Sequence, residues 1–160
     1  GLILDYMKNA EKHMGGKNIQ IRALGNIGAL NSELQSEIAR VTDMTRKNTG
    51  IVLNIAWNYG SRDEIVNAIK QIAIDIESGK YTSDNIKPEL VSNKLYTRDI
   101  PDPDIMIRPG GEYRISNFLL WQSAYTEFWY TDVLWPDFRN EHIIEAISEF
   151  QRRNRRFGGV

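Results

Sequence analysis

Apolar positions recur along this chain with two periods, and each switch between them marks the boundary of a structural element. Leu2 to Met14 carries Ile3, Tyr6, Met7, Ala10 and Met14 at helical spacing, and Gly15-Gly16 ends the run. Ile19 to Leu24 alternates as a strand. Asn31 or Ser32 then stands where it would cap a helix whose Leu34, Ile38, Val41 and Thr45 share one face, and Asn48-Thr49-Gly50 breaks it. Ile51 to Ala56 is apolar and β-branched, as expected of a strand covered on both faces. Asp63 to Ser78 repeats Ile65, Ile69, Ile72 and Ile76 before Gly79, and Pro88 marks the start of a further short helix.

The second half continues the alternation. Ile105-Met106-Ile107 reads as a short buried strand, Phe118 to Tyr125 as a helix buried on much of its surface, and Glu127 to Thr131 as a last strand. His142 to Arg155 forms a terminal helix bearing Ile143, Ala146, Ile147 and Phe150. Four strands alternating with helices point to a layered α/β domain with a mostly parallel sheet and right-handed crossovers. Neither a repeat nor a low-complexity linker interrupts residues 1–160, so one domain is expected.

Composition narrows the class. A chain of 160 residues with 41% hydrophobic content supports one core. Twenty basic and twenty-one acidic residues leave a net charge of −1, which argues against a general nucleic-acid binder and makes any anion site local. With no cysteine there is no disulfide framework and no thiolate metal site, a pattern compatible with the cytoplasm. No apolar run reaches the roughly 18 to 20 residues of a membrane span. The chain opens at Gly1 within a helical pattern, so an upstream portion is expected to have been removed or to belong to another polypeptide.

The densest chemistry lies in Ile107 to Gln122, IRPGGEYRISNFLLWQ. Arg108 would emerge at the carboxyl end of a strand, where open α/β sheets place their ligands. Arg114 and Ser116 follow in the same loop. Guanidinium groups present planar forks of donors to phosphate oxygens, and Ser116 stands where it would cap a helix whose amides favour anions. Gly110-Gly111 lets backbone approach a ligand. One diphosphate could engage all three side chains. The same residues admit a plainer reading, in which Arg114 pairs with Glu112, Ser116 is only a cap and the glycines make an ordinary turn.

Other candidates carry paired readings too. Glu127 opens a strand in an aromatic neighbourhood; magnesium is commonly held by one or two carboxylates plus substrate phosphates, and an ion pair with an arginine is the alternative. Asn58-Tyr59-Gly60-Ser61-Arg62 follows a strand at the ligand edge, either lining a cleft or forming a turn in which Asp63 or Ser61 caps the next helix. Arg152, Arg153, Arg155 and Arg156 complement the dipole of the terminal helix, or reach anionic lipid or a neighbouring subunit's ligand. Aromatic residues from Phe128 to Phe138 suit core packing or a subunit interface. His13 and His142 are assigned no catalytic or metal role.

Taken together, LNIAWNYGSRDEI, IRPGGEYRISNFLLWQSAYTEFWYTDVLWPDF and RRNRRFGG, in that order, resemble the cis-prenyltransferases of the undecaprenyl diphosphate synthase type, from about Gln20 to Gly159. The resemblance implies that this chain holds four strands of a six-stranded sheet, and that Arg108, Arg114 and Ser116 bind the diphosphate of isopentenyl diphosphate. It further implies that Glu127 serves a magnesium ion (Mg2+) and that Ile51 lies on the deep wall of an apolar tunnel. Arg156 and Gly158, in the carboxyl-terminal RxG element, would reach the substrate diphosphate of the partner subunit in a homodimer.

Departures from the family pattern are Ser61 for the second glycine of NYGGR, Pro109-Gly110 where threonine with serine or glycine is common, and Tyr113 where some members have histidine. The family's Asp-Gly-Asn-x-x-Arg loop, which serves the allylic diphosphate, is not found in these 160 residues. The implied activity is sequential cis condensation of isopentenyl diphosphate onto an allylic diphosphate, this chain carrying the isopentenyl half and being inactive alone. A non-catalytic accessory subunit of a heteromeric enzyme is the alternative, and a phosphate-binding α/β module without chemistry a third. The expected setting is cytoplasmic, peripheral at the inner face of the membrane if the basic tail meets lipid. A sheet short of two strands is expected to expose an edge and apolar surface, and so to associate rather than persist as a monomer.

Overall fold

The computed structural model describes residue 9 and residues 17–153. The helix expected over Leu2 to Met14, and both Arg156 and Gly158, lie outside the described residues. The chain divides into two compact units, Gly1–Arg98 and Asp99–Val160.

In the first unit, β1 (Ile19–Leu24) pairs in parallel with β2 (Ile51–Ala56), Ile19 opposite Ile51 and Leu24 opposite Ala56. Helix α1 (Ser32–Thr45) makes the crossover; the Asn31 side chain caps it by accepting from the Leu34 amide at 2.9 Å. Its buried stripe, Ile38, Val41 and Thr45, packs with Ile21 into the core, as its spacing predicts. Thr45 fastens the layers together: its hydroxyl donates to the Val41 carbonyl at 2.9 Å and accepts from the Ile21 amide at 3.0 Å.

Helix α2 (Ser61–Glu77) starts two residues before its expected beginning, and its N-cap is Gly60, so Ser61 and Asp63 lie in the first turn and cap nothing. Its buried face is Ser61, Glu64, Ala68 and Ile72, leaving Val66, Ile69 and Ile74 exposed. Of the isoleucine face expected from the spacing, Ile72 is buried and Ile69 exposed, and Glu64 stands on the inner side instead. A short helix, α3 (Pro88–Ser92), begins on Pro88 as expected. Strand β2 leaves Ile51 73%, Val52 41% and Leu53 46% exposed, so apolar side chains on both of its faces are uncovered by this unit.

In the second unit, β3 (Ile105–Pro109) pairs in parallel with β4 (Glu127–Thr131), Ile105 opposite Glu127 and Pro109 opposite Thr131. Helix α4 (Asn140–Arg152) packs on β4; His142, without a catalytic role in the sequence reading, accepts the Arg139 amide at 2.9 Å and closes its first turn. Among the described residues the four strands are parallel to their neighbours, in two pairs.

One expected helix is absent. Residues 116–125 form successive turns, because Ser116, Asn117 and Leu119 take left-handed backbone angles (φ 47°, 62° and 50°) from which a right-handed helix cannot start. Ser116 therefore caps no helix. Just after this segment the Thr126 hydroxyl donates to the Pro103 carbonyl at 2.8 Å.

Candidate anion-binding site

Arg108 sits one residue from the carboxyl end of β3, opposite Tyr130. Immediately beyond it, Gly110 and Gly111 take φ of +96° and +70°, a region open to glycine at little strain. Their amides donate to the carbonyls of Val133 (2.9 Å) and Thr131 (3.0 Å), which folds the loop leaving β3 onto the loop leaving β4. A methyl group on Gly111 would come within 3.2 Å of Asp132 Oδ1. That same oxygen accepts the Tyr113 hydroxyl at 3.2 Å, and the neighbouring carboxylate pushes the Tyr113 pKa up, keeping it a neutral donor.

Alternation along a strand puts Arg108 on the face of Phe128 and Tyr130. Phe128 stacks on Tyr130 with centroids 6.0 Å apart, and Tyr130 meets Tyr113 at 5.3 Å, so an aromatic row borders the arginine. Arg114 lies in the loop that leaves this edge and pairs with Glu112 at 2.7 Å. Both partners are open to water, so the pair is weak and an anion of higher charge density can displace the carboxylate. Ser116 follows in the same loop. Tyr130 and Asp132 stand in the aromatic segment that the sequence assigns to packing; an aspartate immediately after the strand end was the available signal.

Glu127 is placed differently. It opens β4 at the opposite end from Arg108, about 10 Å along the strand at roughly 3.3 Å per residue, and on the opposite face. Its Oε2 accepts Arg153 Nη1 at 2.9 Å. Arg153 also binds Glu149 at 2.7 Å, which holds the Glu149 carboxyl below its ordinary range. Among the described residues no three histidine, aspartate or glutamate side chains cluster as metal ligands. Glu127 and Arg108 thus do not converge on one magnesium centre within the second unit.

In the first unit, the NYGSR segment also lies at a carboxyl edge. The loops after β1 and β2 are joined there, Asn26 N to Asn58 O at 3.4 Å and Asn58 Nδ2 to Asn26 O at 3.3 Å, and Gly25 (φ +108°) packs so closely that a methyl group would stand 2.1 Å from the Trp57 carbonyl oxygen. An open cleft of about 600 Å³ borders Gly25, Asn58, Gly60, Lys70 and Tyr96. Beneath it Glu64, 1% exposed, accepts the Tyr59 hydroxyl at 2.6 Å and the Tyr96 amide at 2.7 Å. That buried acid was missed in the sequence, although its i, i+4 relation to Ala68 and Ile72 places it on the helix's inner face.

Paired parallel strands whose carboxyl-edge loops carry glycines and arginines define an α/β protein suited to phosphorylated ligands. The chain belongs to the cis-prenyltransferase family: the family model described as "Putative undecaprenyl diphosphate synthase" matches residues 1–158. An isoprenyl transferase of Clostridium tetani is 46% identical over 159 residues, covering 99% of this chain and 62% of the relative. One from Bacillus cereus is 47% identical over 165 residues, covering 98% and 64%. Among solved structures, lavandulyl diphosphate synthase from Lavandula x intermedia in complex with dimethylallyl diphosphate superposes with a TM-score of 0.91 at 34% identity, over 98% of this chain and 68% of that one. The chain therefore spans less than two thirds of the curated relatives it matches.

Proposed function

We propose that this chain is the isopentenyl-diphosphate-binding portion of a cis-prenyltransferase that condenses isopentenyl diphosphate sequentially onto an allylic diphosphate, as in undecaprenyl diphosphate synthesis. The observation that carries the reading is Arg108 at the carboxyl edge of β3, beside a Gly110-Gly111 turn fixed by two backbone hydrogen bonds. Arg108 and Arg114 grip the diphosphate, Arg114 exchanging Glu112 for phosphate, and Ser116 adds a hydroxyl donor. So held, the isopentenyl double bond is aimed at the carbon that becomes cationic as the allylic diphosphate leaves. Positioning and charge stabilisation carry such chemistry. The plant relative's dimethylallyl diphosphate is an allylic diphosphate held on the same fold.

Arg156 and Gly158 would complete the diphosphate site of a second copy, and Ile51, exposed at the head of β2, would face the growing hydrocarbon, whose burial draws it into an apolar channel. Magnesium, which the family implies, would bring charge neutralisation to the diphosphates, with Glu127 the carboxylate that would serve it on release from Arg153.

In the full-length protein, Arg108→Ala is expected to lower turnover of isopentenyl diphosphate with farnesyl diphosphate by about a hundredfold or more, the scale of losing a preorganised charge donor. The 160-residue chain by itself is expected to show no turnover, lacking the Asp-Gly-Asn-x-x-Arg loop. Retained turnover in Arg108→Ala would remove Arg108 from the site.

A further inference from the structure

Beside Arg108 the second strand pair presents three aromatic rings in a row. Met106 and Arg108 of β3 stand opposite Phe128 and Tyr130 of β4, and alternation puts all four side chains on one face of the pair. Phe128 and Tyr130 are half-buried and lie nearly parallel, their planes 6° apart and their centroids 6.0 Å apart. Tyr113 folds back from the loop after β3 onto Tyr130, centroids at 5.3 Å, and so ends the row on the arginine's face.

Tyr113 is 68% exposed, which for one surface aromatic is ordinary. Its bracing is not. The ring rests on Tyr130, and its hydroxyl donates to Asp132 Oδ1 at 3.2 Å, a bond that the adjacent carboxylate preserves by keeping the phenol protonated. Asp132 follows β4 directly, and its Oδ1 lies 3.2 Å from where a methyl group on Gly111 would stand, so the glycine turn, the acid and the phenol share one corner. A ring fixed at two edges with one face open to water has little freedom left to lose when a ligand settles on that face.

Isopentenyl diphosphate is an amphiphile. Its charged head calls for guanidinium donors, and its five-carbon body gains by leaving water. Arg108 and Arg114 answer the head. An apolar bearing for the body has to lie on the face that Arg108 occupies, and the aromatic row begins there, Tyr130 being one strand spacing, about 4.8 Å, from Arg108.

We propose that Tyr113 is a specificity-determining residue: backed by Tyr130 and tied at its hydroxyl to Asp132, it offers its open face to the hydrocarbon of the isopentenyl group while the arginines hold the diphosphate. This rests on the function proposed above.

The test compares isopentenyl diphosphate with methyl diphosphate, which carries the same head on a single carbon, by calorimetric titration of the full-length protein. The wild type is expected to bind isopentenyl diphosphate about tenfold or more tighter than methyl diphosphate. Tyr113→Ala should weaken isopentenyl diphosphate about tenfold and leave methyl diphosphate within about twofold, whereas Tyr113→Phe, which keeps the ring, should stay within about threefold of the wild type for both. Equal losses for the two ligands in Tyr113→Ala would overturn the proposal, making the residue a prop for the arginine loop, and unchanged binding of both would overturn it as well. If Tyr113→Ala does not fold, Tyr113→Gln, of similar reach but without an apolar face, decides on the same two ligands. Should the wild type bind neither diphosphate, the functional reading fails and takes this inference with it; a wild type that binds the two equally well refutes the inference alone.

Discussion

The two units use the same device, a parallel strand pair with a glycine-bearing loop at its carboxyl edge, to opposite ends. In the first, the loop's polar groups are satisfied internally: Tyr59 and Tyr96 are bound by a buried glutamate, and Asn26 and Asn58 bind across the strand ends. In the second, the backbone is just as firmly held, through Gly110 and Gly111, yet the charged side chain of Arg114 stays in water. A loop whose polar atoms are consumed by its own fold is scaffold. One whose backbone is satisfied while its cations remain open is prepared for a ligand.

The sharpest way to break this contrast is to empty the scaffold side. Glu64→Ala leaves a half-buried phenol and a half-buried amide without this acceptor and is expected to destabilise the protein by about 2 kcal/mol or more, read as a shifted urea midpoint. Little loss would mean that Glu64 is not the clamp it looks to be.

Next come the glycines. Gly25→Ala drives a methyl group into the Trp57 carbonyl and is expected to cost about 2–3 kcal/mol, whereas Gly111→Ala, meeting only the Asp132 carboxylate, should cost about 1–2 kcal/mol. Substrate affinity should separate them: in the full-length protein Gly111→Ala weakens isopentenyl diphosphate binding more than Gly25→Ala does. The reverse order, by calorimetric titration, would place the ligand loop in the first unit.

The smallest effect is electrostatic. Among the described residues, Asp75 in the first unit is held below its ordinary range by its hydrogen bond to Lys94, and Glu149 in the second by its bond to Arg153. A carboxyl whose folded pKa is depressed contributes stability above its unfolded pKa and loses it as pH falls through the folded value. Thermal midpoints should therefore decline between about pH 5 and pH 2, and Asp75→Asn should flatten only the part belonging to the first unit. An unchanged slope in Asp75→Asn would show that the pair contributes nothing in solution.

Much of this fold could be read from the chain. The Leu34–Thr45 stripe and the Pro88 start each state one local preference that tertiary packing does not contradict; the Ile51–Ala56 run marks a strand but not its cover, since Ile51, Val52 and Leu53 are exposed in this unit. Two readings failed where a second force outweighed the pattern. Residues 118–125 have the apolar content of a buried helix, but left-handed Ser116, Asn117 and Leu119 turn them into a coiled loop, and periodicity carries no sign of backbone handedness. Helix α2 buries Ile72 as expected but exposes Ile69, and Glu64 takes a place on the inner face, where it accepts two hydrogen bonds. At the site, strand placement made Arg108 legible. The separation of Glu127 was not, since it depends on strand register and on an arginine 26 residues later.

Five residues between positions 110 and 119 hold positive φ, three of them with side chains that resist it. Such angles persist only where the surroundings enforce them. The loop's contour is thus settled during folding, and an arriving anion has little chain to freeze: association should carry a small entropic penalty, with selectivity arising from how well the guest matches a mould already cast.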